Sequence, residues 1–197
     1  MRTWTLQKGY PIINVWRDYN STTLQIEQRR FQMNSFFDPL SLHWWIPINV
    51  ATSRVRNFNN SVPMDWLPNN ATTFYTPPSE IDFGENDWIL VNTKQAGYYR
   101  VNYDSNNWNM LARELLSGNF EDIIPINRAQ LIDDSLMIAR ANQLSYFDAM
   151  NILNYLQNET DLIPWMAANS NLPYLTRLMT GVQFYQYFAV RYCILKY

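Results

Sequence analysis

What this chain has little of narrows its chemistry before any pattern is sought. Cys193 is the single cysteine among 197 residues, so no disulfide can close within the chain. His43 is the single histidine, and a helix-borne zinc site needs two imidazoles at i and i+4 plus a third ligand. Glycine is scarce, with five residues, and none builds a phosphate-cradling loop or a G-x-S-x-G nucleophile turn. No apolar run reaches the ~18 residues of a membrane span; the nearest, 185–195, is short and holds Gln186 and Arg191. Basic excess is missing too. The formal net charge is -2 and the pI about 5.3, which leaves no electrostatic footprint for nucleic acid or an anionic membrane surface. After Met1 come Arg2, Thr3, Trp4 and Thr5, which read as strand-like and lack the apolar core of a secretory signal.

What is present is apolar and aromatic. Apolar residues make up 47% of the chain and aromatics 16%, enough for a packed core and too much for wholesale disorder. The length permits one domain of good size or two small ones. Glycosylation sequons begin at Asn20, Asn59, Asn70 and Asn158. In a chain so rich in Asn, Ser and Thr, roughly three would arise by chance under that motif rule, so the sequons only lean toward a secreted or membrane-associated origin.

The first half reads as strands and turns. Residues 9–11 form a turn before the apolar run Ile12 to Trp16, and Thr22 to Phe31 alternates with Leu24 and Ile26 on one face. Trp44, Ile46, Ile48 and Val50 share a face, and Pro47 makes that strand an edge or a bulge. A short strand fits 72–75, and 88–92 with 98–103 reads as a last hairpin. Short strands at this spacing predict an antiparallel β-sandwich. The large rings Trp45, Trp66, Trp88 and Tyr99 are expected to fill its thin core. The alternative is a row of exposed rings, including Trp44, that stacks on sugars.

The second half reads as helix pairs. Asp104 or Ser105 caps a helix carrying Trp108, Leu111 and Leu115; Pro125 suits the first turn of the next. Ser145 and Asp148 resemble a capping box. Pro164 and Trp165 start a fourth helix, which Pro173 should kink or interrupt, and a last helix is expected over 182–197. Antiparallel pairs of this kind stack into an α-solenoid, in which each pair needs neighbours. The fold class expected is therefore α+β: an antiparallel β-sandwich over 1–104, then the first helices of a truncated α-solenoid of antiparallel helix pairs over 105–197.

Several stretches now add up. TWTLQKGYP at 3–11, QRRF at 28–31, WIPI at 45–48, YYRVNYD at 98–104 and NRAQLIDD at 127–134 resemble zinc aminopeptidases of the aminopeptidase N type. Tyr155-Leu156 and the spacing of Glu159, Asp161, Pro164 and Trp165 extend the likeness. The resemblance implies a small sandwich domain and the start of a helical C-terminal domain, both lying after a catalytic domain. It implies a parent activity that removes N-terminal amino acids from peptides. That chemistry belongs to a G-x-M-E-N motif and an H-E-x-x-H helix, neither of which occurs in this sequence. Zinc is thus expected in the parent family and no cofactor in this chain. The expected partner is an upstream catalytic domain, with peptides as a further class; neither nucleic acid nor a membrane-spanning segment is expected.

Candidate chemistry within the chain is thin. Asp133 and Asp134 invite an acid/base reading. Adjacent helical residues point about 100° apart, so the pair should not face one ligand; one should bond across the joint, to Arg128 or a strand residue, and the other should be solvated. Glu80, Asp82, Glu85 and Asp87 lack the spacing of a calcium loop and read as a solvated turn. His43 reads as a surface or structural histidine, Cys193 as a buried helix cysteine, and Arg100 as ion-paired or stacked on rings. Arg100, Asp104, Arg128, Asp133 and Asp134 together read as the joint between strands and helices. The function expected is a non-catalytic C-terminal portion that scaffolds an aminopeptidase and shapes its peptide-access cavity. The alternatives are a stand-alone peptide- or protein-binding module, or an enzyme whose upstream part lies outside this sequence.

Overall fold

A computed structural model describes residues 2–21, 23–33, 40–70, 72–75, 81–183 and 185–188. The chain opens with a helical turn, α1 (Arg2–Thr5), where strand character was expected. Side-chain docking explains the difference. The Trp4 indole donates to the Trp45 carbonyl at 2.8 Å and its ring lies 6.2 Å from that of Trp44. Gln7 donates to the carbonyls of both Thr3 and His43, at 3.0 and 2.9 Å, so tertiary contacts override local preference.

Among the described residues eight strands follow: β1 (Pro11–Arg17), β2 (Leu24–Arg30), β3 (Ile46–Ile48), β4 (Val50–Thr52), β5 (Asp65–Leu67), β6 (Thr72–Tyr75), β7 (Ile89–Val91) and β8 (Arg100–Tyr103). One sheet has the order β6-β2-β1-β8; β3 pairs with β5, and β4 with β7. Inward faces of all three sheets feed one core, including Ile13, Ile26, Ile46, Leu67, Val91 and Val101. β1 is buried at five consecutive positions because both its faces are covered. Ile13 and Val15 face the main core, whereas Ile12 joins Phe31, Ile138 and Ala141 in a second cluster toward the helices.

Two strand expectations are corrected. The hairpin of 88–92 with 98–103 does not form; β8 lies parallel to β1, so the sheet is mixed. β7 pairs with β4, and side chains serve its other edge. Asn107 accepts from the Ile89 amide and donates to the Ile89 carbonyl, at 3.0 and 2.9 Å. The Tyr103 hydroxyl accepts from the Val91 amide at 2.9 Å, and Gln130 donates to the Val91 carbonyl at 3.2 Å. These bonds satisfy a buried strand edge without a neighbouring strand. The run from Trp44 to Val50 keeps its predicted inward face, but it breaks at Asn49 into β3 and β4, which pair with different partners.

The ring assignments also divide. Trp88 and Tyr99 are buried as expected, but Trp45 is 45% and Trp66 53% exposed. Trp45 follows inward-facing Trp44, so alternation turns it outward. Trp66 pairs with Pro47 in the β3–β5 register, on the face opposite the Ile46–Leu67 pair. A sugar-stacking row of Trp44, Trp45, Trp66 and Trp88 is absent among the described residues, because Trp44 and Trp88 lie in the core.

The helices are α2 (Ser105–Leu116), α3 (Pro125–Arg140), α4 (Tyr146–Leu153) and α5 (Leu162–Met179). Their starts follow local signals. Asp104 accepts from the Asn107 amide, Pro125 occupies the first turn of α3, Ser145 accepts from the Asp148 amide, and Asp161 accepts from the Ile163 amide. α5 runs through Pro173 without the expected interruption. The carbonyl that loses its donor belongs to exposed Asn169, where water can serve. The last helix does not begin at Val182 as expected, because Val182 and Gln183 lie in a turn; residues 185–188 are helical, and 184 and 189–197, with Cys193, lie outside the described residues.

Candidate functional site

The chemistry-bearing residues gather where β8 meets the helices. β8 sends Arg100 toward α3. Its Nη1 donates to both Asp133 Oδ2 and Asp134 Oδ1, at 2.7 and 2.8 Å. Two adjacent helical carboxylates therefore do meet one group, against expectation, because a single guanidinium nitrogen reaches both. Asp134 also accepts from the Val101 amide at 3.1 Å, and Asp133 accepts from Asn171 of α5 at 2.9 Å. Arg100 lies over the Phe31 ring at 5.1 Å and the Tyr10 ring at 5.9 Å. Ion pairing and ring contact thus coexist at this side chain.

The two aspartates are not equivalent. The Asp133 side chain is 38% exposed and that of Asp134 only 6%. Burial pushes the Asp134 carboxyl up to about 6, against the pull of Arg100 and the Val101 amide. Burial also opposes charge on Arg100, but Asp134 and Asp133 outweigh it and raise the guanidinium above its ordinary value.

Arg128 pairs with neither aspartate. It faces the connection between α4 and α5, where Nε and Nη2 grip Glu159 at 2.7 and 2.9 Å. Nη1 donates to the Ile123 carbonyl at 2.5 Å. Both side chains are buried, with Arg128 4% and Glu159 0% exposed. Burial pulls the Glu159 carboxyl upward, yet Arg128 and the Asp161 amide hold it below its usual range. Glu159 was the missed partner. The available signal was Arg128 itself, a cation on the apolar face of a helix that needs a buried counter-charge.

Asp104 does more than cap α2. It also accepts from the Tyr19 hydroxyl at 2.6 Å and the Arg17 amide at 3.3 Å, tying β1 and its turn to the helix. On α3, Asn127 accepts from the Lys94 amide at 2.8 Å and donates to the Asn92 carbonyl at 3.1 Å. That holds a turn in which Asn92, Lys94 and Gln95 all have positive φ, of 68°, 59° and 50°.

The acidic turn is more tightly held than a solvated loop. Arg54 contacts Asp82 at 3.0 Å and Asp87 at 2.6 Å. Asp87 also accepts from the Gly84 amide at 2.7 Å and from Ser53, and Arg17 donates to the carbonyls of Gly84 and Asp87. Burial pulls Asp87 up, but these partners hold its carboxyl below the ordinary value. Glu85 is exposed, and Glu80 lies outside the described residues. Among the described residues no group of three His, Cys, Asp or Glu side chains converges to hold a metal. His43 is half-buried, and Asn20, Asn59, Asn70 and Asn158 are exposed. Two open clefts flank the joint. One of about 720 Å³ is lined by Tyr19, Glu85, Asn106 and Arg113, and one of about 340 Å³ by Tyr10, Tyr98, Arg100 and Asp133.

The profile of the ERAP1-like C-terminal domain matches residues 88–192, from the start of β7 through the helices. The chain belongs to that family. The residues of the joint on β8, α2 and α3 fall inside the matched region of the ERAP1-like C-terminal domain. Similarity to whole proteins reaches further toward the N-terminus. Aminopeptidase N of Plutella xylostella is 41% identical over 182 residues, which cover 92% of this chain and 19% of that protein. Membrane alanyl aminopeptidase of Heliothis virescens is 33% identical, covering 91% of this chain and 17% of its own length. Aminopeptidase Ey of Gallus gallus is 35% identical, covering 88% and 17%. The chain thus spans under a fifth of the length of these curated relatives. No helix among the described residues is long and apolar enough to cross a membrane.

Proposed function

We propose that this chain is the non-catalytic C-terminal portion of an aminopeptidase N-like zinc enzyme, with residues 1–104 as its sandwich and 105–197 as the opening of its helical domain. In the complete enzyme the sandwich braces the catalytic domain, and the helices help enclose the cavity through which peptides reach it. The observation that carries this reading is how the charged groups are used. Arg100, Asp104, Arg128, Asp134 and Glu159 are committed to bonds that fasten strands and helices to one another. A site for general acid/base work needs such a group within reach of a substrate proton. Membership of a C-terminal domain family, among relatives named as aminopeptidases, points the same way.

The reading is tested by incubating the purified chain with zinc and an aminoacyl chromogenic amide. Release of chromophore should not exceed that of a heat-inactivated control. Turnover above that control, abolished by a chelator, would overturn the reading.

A further inference from the structure

The larger of the two clefts, of about 720 Å³, is lined by polar groups that the fold does not use. Four asparagines elsewhere show what the fold does when it uses this side chain. Asn49, Asn92, Asn107 and Asn127 are buried, and each donates to a backbone carbonyl of a strand or turn. Asn86, Asn106 and Asn109 line the cleft instead, and among the described residues none of their carboxamides makes a hydrogen bond. Asn106, Asn109 and Arg113 share one face of α2, because residues three, four and seven apart on a helix return to the same side. Of the charged groups in the lining, Asp87 is paired with Arg54 and Glu114 with Arg56. Exposed Glu85 and Arg113 are left, one of each sign, so the free charge of the cleft cancels.

One donor in the wall is buried as well as idle. Trp88 lines the cleft and is only 3% exposed, yet its indole N–H has no hydrogen-bond partner among the described residues. Phe58 stacks 6.5 Å from the Trp88 ring, and the Arg56 guanidinium lies over that ring at 5.5 Å. The ring is therefore no platform for a ligand, and the N–H is what it offers. A buried donor without an acceptor is costly, and native folds rarely leave one unpaired. Arg56 also contacts Glu114 at 2.8 Å, which keeps a carboxylate of the cleft wall near the indole.

The lining narrows the occupant. A peptide strand needs a free sheet edge, but β7, which begins just after Trp88, has β4 on one edge and Asn107, Tyr103 and Gln130 on the other. An amphipathic helix needs an apolar groove, and nucleic acid needs a cationic surface. Neither fits a balanced cleft rich in carboxamides. Each carboxamide offers two donors and an acceptor, so three of them match a neutral ligand dense in hydroxyls. The recessed indole N–H asks for an acceptor that projects from such a ligand, and an acetamido carbonyl reaches further than a ring hydroxyl. We propose that this cleft binds a saccharide bearing N-acetyl groups, with Asn86, Asn106 and Asn109 on its hydroxyls and the Trp88 indole donating to an acetamido carbonyl. Recognition here works by hydrogen bonds within a cleft rather than by stacking on exposed rings. It goes beyond the scaffolding role proposed above and does not rest on it.

The test titrates N,N′-diacetylchitobiose into the full chain carrying isotope-labelled tryptophan, with cellobiose as the same disaccharide skeleton lacking acetamido groups. Trp88→Phe identifies the indole N–H resonance of Trp88. Diacetylchitobiose should move that resonance downfield, saturably and in the millimolar range, and cellobiose should leave it in place. Asn106→Ala and Asn109→Ala should each weaken binding about three- to tenfold, the loss of one hydrogen bond, with melting unchanged. Tyr98→Ala, in the smaller cleft, should bind as the parent chain does. The carboxamides of Asn106 and Asn109 hold nothing in the fold, so titration calorimetry on their variants decides the matter even if Trp88→Phe does not fold. No saturable binding of diacetylchitobiose, an equal response to cellobiose, or asparagine variants that bind like the parent chain would each overturn the proposal. So would a blocked peptide, N-acetyl-trialanine methylamide, that shifts the indole resonance where the disaccharide does not.

Discussion

Replacing Arg128 with alanine removes one member of the most deeply buried ion pair among the described residues. The Glu159 carboxylate would remain, with a side chain 0% exposed, and the Ile123 carbonyl would lose its donor. Removing one partner of a buried pair costs about 3–5 kcal/mol, because the remaining charge is dry and uncompensated. The amides of Thr160 and Asp161 still point at Glu159, which sets the expectation at the lower end, about 3 kcal/mol. For a chain of this size that is a fall of about 6–12 °C in melting temperature. Urea titration followed by tryptophan fluorescence measures it, and the slope should be unchanged if only stability has shifted. Two controls sharpen the reasoning. Arg128→Met combined with Glu159→Gln removes both charges and should recover most of the loss. Folding holds Glu159 below its ordinary pKa, so its stabilising contribution is present above the unfolded value and is lost as pH falls through the folded one. The gap between the parent chain and Arg128→Ala should therefore narrow in acid. A loss below about 1 kcal/mol at neutral pH, or a double variant no better than the single one, would refute the reasoning.

Two further outcomes follow from particular residues. Asp134 has the opposite sign from Glu159: its folded carboxyl is raised to about 6 from 3.8, so stability from this group is full below the unfolded value and declines as pH rises through the folded one. Asp134→Asn should remove that decline, which in the parent chain approaches about 1.4 kcal/mol per pH unit between the two values; denaturation measured across that range decides it. Trp44→Ala should cost about 3–5 kcal/mol, whereas Trp66→Ala should stay within about 1 kcal/mol, and equal losses on thermal melting would contradict their opposite burial.

Much of the fold was legible in residue order. The change from alternating to helical periodicity near Asp104 marks where strands end, because side-chain period follows directly from backbone geometry. Helix starts were legible at Asp104, Pro125 and Ser145, because a cap is formed by residues only a few positions apart. The hairpin expected between 88–92 and 98–103 was not, since strand adjacency in sequence does not fix pairing. The edge of β7 was satisfied instead by Asn107, Tyr103 and Gln130, side chains whose reach no local pattern announces.

By itself the sequence determined the class of the protein. It fixed an α+β order, a chain without a zinc-binding histidine pair, and a likeness that family membership then established. Tertiary structure alone decided the pairings. It placed Trp88 in the core and Trp66 at the surface, joined Arg100 to both Asp133 and Asp134, and gave Arg128 to Glu159, 31 residues away. The physical reason is range. Periodicity and caps act over a turn or two of backbone, whereas a buried charge is neutralised by whichever counter-charge packing brings within about 3 Å.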